Sequence, residues 1–109
     1  MTPRLTADFW VKAYLRRLSL MDIPAFVVCR GDATAGAVYV KVNTLDGNAA
    51  AFQRSYDATG ERIWISLAEG SDADVETALS KQRRFDPDIW IIEVEDKDGH
   101  SLLDQDGLQ

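Results

Sequence analysis

The side chains that most often carry nucleophilic or metal chemistry are scarce in this sequence, which has one cysteine, Cys29, and one histidine, His100. Hydrolytic, thiol-based and metal-dependent mechanisms mostly draw on His or Cys, and a second such residue usually positions the first. Cys29 lies in the apolar run AFVVCR, where a thiol is desolvated and poorly ionised. Because the sequence offers no identifiable nucleophile–base pair, we predict no catalytic residue and no cofactor.

The carboxylates near His100 are the strongest candidates for a metal site. Glu93 and Glu95 share one face of a predicted strand, and Asp96 and Asp98 follow them. A calcium loop needs acids at alternating positions, glycine at the sixth and glutamate at the twelfth, and this stretch lacks that pattern. We therefore predict an acidic, solvated strand edge followed by a turn, and no metal site.

Basic residues are paired near the ends of both predicted helices, as Arg16-Arg17 and Arg83-Arg84. The helix macrodipole favours positive charge there, so neither pair requires a ligand, although the two pairs could bind a phosphate if they met in space. The net charge is −6, divided as +3 over residues 1–54 and −9 over residues 55–109. The acidic total disfavours nucleic acid and anionic membranes as partners. This difference in charge between the two halves of the chain could support self-association. Alternatively, the two halves interleave in one sheet and the folded protein has no charged ends.

Helix and strand signals follow the order α-β-β-β-β-α-β. Thr6 can cap a helix that ends near Asp22, and Ser71 can cap a second that ends near Arg84. The first strand pattern is AFVVCR (25–30), which is nearly all apolar and predicted to be central. The others are AVYVKVN (37–43), AAFQRSY (50–56), ERIWISL (61–67) and IWIIEVE (89–95). This order predicts one α+β domain over residues 1–109, with two layers: a mainly antiparallel five-stranded sheet and both helices on one face.

Several of these segments resemble a known family. GDATAGAVYVKVNTLDG, the strand that contains Arg62 and Trp64, and RRFDPDIWIIEVEDKDG are similar to the small bacterial family called domain of unknown function 1491. The resemblance spans nearly the whole chain and implies a single-domain bacterial cytoplasmic protein. It implies no mechanism, because the family has no assigned activity or catalytic residue. Short apolar runs and a lone cysteine give the same expectation of a cytoplasmic protein without a membrane span.

The face of the sheet opposite the helices is predicted to be open. The helices would cover a core face that bears Val38, Val40, Ile63, Ile65, Trp90 and Ile92. The open face would present Tyr39, Lys41, Arg62, Trp64 and Glu93, and large aromatics with arginine are typical of binding hot spots. Alternatively, these side chains only pack on one another or on the C-terminal segment. The pattern favours a small binding or interaction module with this face as its ligand or partner surface.

Two other functions stay open. A small hydrolase or transferase acting on a small anionic substrate could use Lys41, Arg62, Arg84, Asp86 or Glu93. An RNA-binding sheet could use Tyr39 and Trp64 as stacking residues, although the acidic total and the missing aromatic motifs disfavour it.

The first helix carries two apolar rows. The main stripe is predicted to cover the core and comprises Ala7, Val11, Tyr14, Leu15, Leu18 and Met21, with Trp10 at its edge. The second row comprises Phe9, Ala13 and Leu20. A helix on the outside of a two-layer domain needs only one such row, so the second is predicted to contact another copy of the chain or its own C-terminal segment. A twofold homodimer is the commonest closed arrangement.

Overall fold

The computed structural model describes residues 5–105 and has the predicted order of elements. These are α1 (Ala7–Leu20), β1 (Ala25–Cys29), β2 (Val38–Asn43), β3 (Asn48–Tyr56), β4 (Arg62–Ser71), α2 (Asp72–Phe85) and β5 (Trp90–Glu95). The strands form one sheet in the order β1-β5-β2-β3-β4, in which β2 and β5 are parallel and the other neighbours antiparallel. The predicted α+β class with a mainly antiparallel five-stranded sheet is confirmed, and the parallel pair makes the sheet mixed.

The two helices lie on opposite faces of the sheet, which corrects the prediction that they share one. Helix α1 packs on alternate residues of β2 and β5, which are Val38, Val40, Val42, Trp90, Ile92 and Val94. Helix α2 packs through Val75 and Leu79 on the intervening side, which comprises Tyr39, Ala49, Ala51, Ile89 and Ile91. We call these two sides the α1 face and the α2 face. The domain therefore has three layers, because its central strands are apolar on both faces and both must be covered.

The edges of the sheet also differ from the predicted arrangement. β1 pairs only with β5 and is an edge strand, although its apolar sequence predicted a central one. In β4 the alternation is opposite to that predicted: Trp64 packs on the α1 face, while Ile65 pairs with Gln53 of the other face and is exposed. A bulge beside Ala51 and Phe52 then shifts the register for the second half of β4.

Helix α1 begins at the predicted cap. The Thr6 hydroxyl oxygen accepts a hydrogen bond from the backbone N–H of Phe9 at 3.3 Å. The carbonyl groups of Ala33 and Thr34 accept hydrogen bonds from the N–H groups of Asp8 and Ala7, at 2.9 and 3.1 Å. The loop before β2 therefore satisfies amide groups that a helix N-terminus usually leaves without partners.

The buried stripe of α1 is centred closer to Trp10 than predicted. Its buried residues are Ala7, Trp10, Val11, Tyr14 and Leu18. Met21 is exposed instead, because the helix ends at Leu20. At the other side of the core, Trp90 is buried and its indole N–H donates to the carbonyl oxygen of Asp32 at 2.8 Å. Within residues 5–105, neither 14-residue helix is long and apolar enough to cross a membrane.

Candidate functional site

The five residues of the predicted binding face do not share one surface. Tyr39, Lys41 and Glu93 lie on the α2 face, and Tyr39 and Lys41 are only 8% and 2% exposed because α2 covers them. Arg62 and Trp64 lie on the α1 face at the far edge of the sheet. The predicted open face is therefore corrected: it is divided between the two sides, and its α2 portion is covered.

Lys41 lies among three carboxylates on the α2 face. Its ammonium nitrogen is 2.6 Å from Asp72 Oδ1 and 3.4 Å from Glu93 Oε1, and it also pairs with Glu76. Asp72 and Glu76 come from the first turns of α2, and the parallel pairing of β2 with β5 places Glu93 opposite Lys41. Asn43 donates to the other oxygen of Glu93 at 3.3 Å. This arrangement ties the start of α2 to the centre of the sheet.

The charge state of Lys41 follows from that environment. Burial on its own would lower the pKa of the ammonium group, but hydrogen bonds to Asp72 and Glu76 and the negative charge of Glu93 outweigh burial and raise it. Three carboxylates thus lie within ion-pair distance of the ammonium group. These contacts are those of an ion-pair cluster that links α2 to the sheet.

A second cation, Arg54, lies in a different environment on the α1 face. The pairing of β3 with β4 places it opposite Trp64. Its guanidinium carbon is 5.0 Å from the centroid of the Trp10 ring and 5.8 Å from that of Trp64. The Trp10 ring is itself 4.9 Å from Tyr14 and 5.5 Å from Trp64. Aromatic rings, and not carboxylates, therefore hold Arg54 in place.

The positive charge of Arg54 has no counter-charge in the described structure. Its Nη1 atom is buried and without a hydrogen-bond partner among residues 5–105. Burial lowers the pKa of Arg54, and the nearby positive charge of Arg62 lowers it further. Over the same residues, no carboxylate forms an ion pair with either arginine.

Arg62 lines two cavities on the α1 face. The larger, about 900 Å³, lies between the start of β4 and residues 99–105, and we call it the β4 groove. Trp64, Phe52 and His100 also line it. The smaller, about 430 Å³, lies between the start of α1, residues 34–38 and the end of β3, and we call it the α1 cavity. Arg54 and Tyr56 line the α1 cavity with Arg62.

The histidine at the rim of the β4 groove has a partner that the sequence prediction missed. His100 Nδ1 is 3.1 Å from Asp96 Oδ2, and the same oxygen accepts the backbone N–H of His100 at 2.7 Å. This backbone hydrogen bond is the main cause that lowers the pKa of Asp96. Asp98 brings a further carboxylate within 4.8 Å of these ligand atoms. The four-residue spacing between Asp96 and His100 was the sequence signal for this contact. The described contacts are those of an acidic turn.

The second apolar row of α1 lies at the protein surface. Phe9 and Leu20 are 58% and 70% exposed, and Ala13 is half-buried. Contact with a second copy stays a prediction.

Arg54 is the residue of the α1 face that the sequence interpretation missed. Its signal was the alternation of β3, which places Arg54 in phase with the inward-facing Phe52.

The topology and the covered sheet define a small α+β domain with one helix on each face. The chain belongs to the DUF1491 family, described as proteins of unknown function, whose sequence profile matches residues 5–104. This match confirms the resemblance seen in the sequence.

Solved structures of relatives have the same fold. A crystal structure of a DUF1491 family protein from Caulobacter crescentus CB15 is 39% identical, covers 93% of this chain and 96% of its own, and superposes with a TM-score of 0.85. An NMR structure of a DUF1491 family protein from that organism is 38% identical, covers 94% of this chain and 96% of its own, and has a TM-score of 0.81. The solution structure of protein Atu0922 from A. tumefaciens is 27% identical, covers 85% of this chain and 86% of its own, and has a TM-score of 0.73. A search of curated proteins finds no match.

Proposed function

We propose that this protein is a small cytoplasmic binding module whose ligand lies in the β4 groove, against Trp64 and Arg62. The observation that carries the proposal is the groove itself. Its volume of about 900 Å³ is within the range of small-molecule sites. The single cysteine, which is unpaired, suits the reducing cytoplasm.

The walls of the groove indicate what kind of ligand would bind. Apolar and aromatic surface comes from Phe52, Trp64, Leu102 and Leu103, and the charged lining residues are Arg62, Glu61 and Asp104. Apolar walls with a few polar groups are the usual composition of ligand sites, in which the polar groups fix orientation. A matching ligand would place an aromatic or apolar part against these walls. Its negatively charged group would lie at Arg62 on the side of the α1 cavity, whose described lining has no carboxylate.

The outer wall of the groove is held in place before any ligand binds. The hydroxyl of Tyr14 donates to the carbonyl oxygen of Ser101 at 2.8 Å. Arg17 donates to the side-chain oxygen of Gln105 at 3.2 Å. These bonds attach residues 101–105 to α1, so binding would require little ordering of the chain, and less ordering favours affinity.

Mapping of amide shifts in nitrogen-15 NMR tests this function. We would titrate the protein with small aromatic acids, phosphates, amines and neutral compounds. At least one class should bind, with the largest shifts in residues 61–64 and 99–105. Trp64→Leu should weaken that ligand by about tenfold or more, whereas Phe85→Leu, which changes an exposed aromatic of α2, should stay within about twofold. Shifts centred on the α2 face, or full affinity in Trp64→Leu, would contradict the proposal.

Self-association is a second candidate role, which the exposed row of α1 favours. Phe9 and Leu20 place two large apolar side chains on the outer side of the helix. Since contiguous exposed apolar surface often marks a contact, we propose that a second copy packs on this row about a twofold axis.

Light scattering tests the dimer. The wild type should have the mass of a dimer, and Phe9→Glu with Leu20→Glu should give a folded monomer. A control that places the same two charges on exposed residues away from α1, Leu45→Glu with Phe85→Glu, should remain dimeric. A wild type that is monomeric at high micromolar concentration would contradict the proposed dimer.

A further inference from the structure

We infer that Arg54 and Arg62 form a site for a phosphomonoester, whose phosphate lies in the α1 cavity and whose organic part reaches the β4 groove. The inference rests on the proposed function and names the chemical class of its ligand. Arg62 lines both cavities, so a molecule bound at its guanidinium group can contact both.

The charge balance of the α1 cavity supports an anion. Its described lining includes Arg54 and Arg62 and no carboxylate. Burying a guanidinium group without a counter-charge is costly, and a bound anion would recover part of that cost. The carboxylate of Asp8, in the first turn of α1, does not line the cavity and is paired with Lys12 at 3.2 Å. The cavity therefore has positive charge that the described residues do not neutralise.

Neutral groups around the α1 cavity also favour an anion. The cavity is lined by the start of α1, at Thr6 and Ala7, where the helix dipole favours negative charge. The amide of Ala7 already donates to Thr34, so the helix contributes its field and not a hydrogen bond. Thr34 and Tyr56 place further hydroxyl-bearing side chains at the wall.

The number of arginines and the size of the cavity select the class of anion. A phosphomonoester carries a charge of about −1.5 to −2 at neutral pH, which two guanidinium groups can balance. A volume of about 430 Å³ accommodates a phosphate group with a small substituent and not a folded polymer. Trp64, on the β4 groove side, offers an aromatic ring to the substituent.

Calorimetric titration with phenyl phosphate, inorganic phosphate and phenol tests the inference. Phenyl phosphate should bind about tenfold or more tightly than either fragment alone. Arg54→Gln and Arg62→Gln should each weaken phenyl phosphate by about tenfold or more. Arg84→Gln removes the same charge from an exposed position on α2 and should change affinity by less than about twofold. Arg62 is only half-buried and begins its strand, so its variant keeps the test valid if Arg54→Gln fails to fold.

The outcomes separate this inference from the proposed function. If phenol shifts residues of the β4 groove while phosphate adds no affinity, the phosphate site is wrong and the binding groove stands. If phenyl phosphate binds but Arg84→Gln weakens it as much as Arg62→Gln does, the attraction is non-specific and the inference is overturned. If neither phenol nor phenyl phosphate binds, and no member of the wider set of compounds does, both proposals are wrong.

Discussion

Lys41 and Arg54 are two cations on neighbouring strands, but the fold surrounds them differently. Lys41, on the α2 face, is 2% exposed and has three carboxylate partners. Arg54, on the α1 face, is half-buried, lies beside two tryptophan rings and has a buried nitrogen without a hydrogen-bond partner among residues 5–105. The difference teaches how each charge is used. A buried cation whose counter-charges are built in holds elements together, whereas one without them is available to an external anion.

The carboxylates around Lys41 sharpen this contrast. Asp72, Glu76 and Glu93 bring three negative charges to one positive charge, so the site has no remaining attraction for an anion. In the α1 cavity the charges have the opposite sign, because the described lining contains Arg54 and Arg62 and no carboxylate. Removal of the central cation should therefore affect stability on the α2 face and binding on the α1 face.

The largest effect is expected from Lys41→Met, which keeps most of the side-chain volume and removes the charge. Three carboxylates would then face one another at the sheet. Because Asp72 and Glu76 are about half exposed, we expect a loss below that of a fully buried pair, about 1.5–3 kcal/mol. Urea unfolding at neutral pH should show a loss of this size. Lys81→Met, at an exposed position of α2, should lose less than about 0.5 kcal/mol. A loss below about 1 kcal/mol in Lys41→Met would show that the cluster does not hold the fold together.

The next effect is a dependence on alkaline pH. Because the folded state raises the pKa of Lys41 above its ordinary value of 10.5, the cluster stabilises the protein below that pH and loses this contribution as the pH rises through it. The stability difference between wild type and Lys41→Met should therefore narrow by up to about 1.4 kcal/mol per pH unit above about pH 10.5. Burial also raises the pKa of Tyr14, but this contribution is common to both proteins and cancels. A difference that is constant from about pH 8 to pH 11.5 would contradict the ion-pair account.

A smaller effect is expected from Tyr14→Phe. The change removes the hydrogen bond to Ser101 and should cost about 1 kcal/mol. Hydrogen exchange of residues 101–105 should become faster, because this bond attaches the outer wall of the β4 groove to α1. Tyr39→Phe removes a longer bond to Gln82, at 3.3 Å, on the α2 face and should leave exchange in residues 101–105 unchanged. Equal exchange rates in Tyr14→Phe and wild type would show that the wall is held by other contacts.

The smallest change in stability is expected from Arg54→Met. Loss of two cation–π contacts, about 0.5–1 kcal/mol each, is offset because the change also removes a half-buried charge that has no counter-charge among residues 5–105. Urea unfolding should therefore change by no more than about 1 kcal/mol in either direction. A loss as large as that of Lys41→Met would make Arg54 a structural cation and remove the contrast between the two faces.

The elements were predictable from sequence, and the side of the sheet on which each helix packs was not. Caps at Thr6 and Ser71 and the alternation of the strands are local signals, and they located both helices and all five strands. The strand order depends on long-range pairing, which put β5 beside β2 and moved apolar β1 to the edge. Ile91, between two inward-facing residues of β5, was the sign that this strand is covered on both faces.

The same long-range order limited the prediction of the site. Arg62 and Trp64 were predicted to share one face, and both lie on the α1 face. Tyr39, Lys41 and Glu93 were grouped with them, because alternation alone cannot tell that α2 covers their end of the sheet. Arg54 needed the register of β3 on β4, which places it opposite Trp64. Local patterns thus placed Arg62 and Trp64 on one face, and only the pairing between strands placed Arg54 beside them.

The shift in unfolding temperature caused by phenyl phosphate tests the central contrast most directly, since a ligand that binds the folded state raises that temperature. Wild type and Lys41→Met should be stabilised by equal amounts at the same concentration of ligand, from different starting temperatures. Arg54→Met should start close to the wild-type temperature and gain almost nothing. An equal gain in all three proteins, or a gain lost in Lys41→Met and kept in Arg54→Met, would contradict the assignment of structural and binding roles to the two cations.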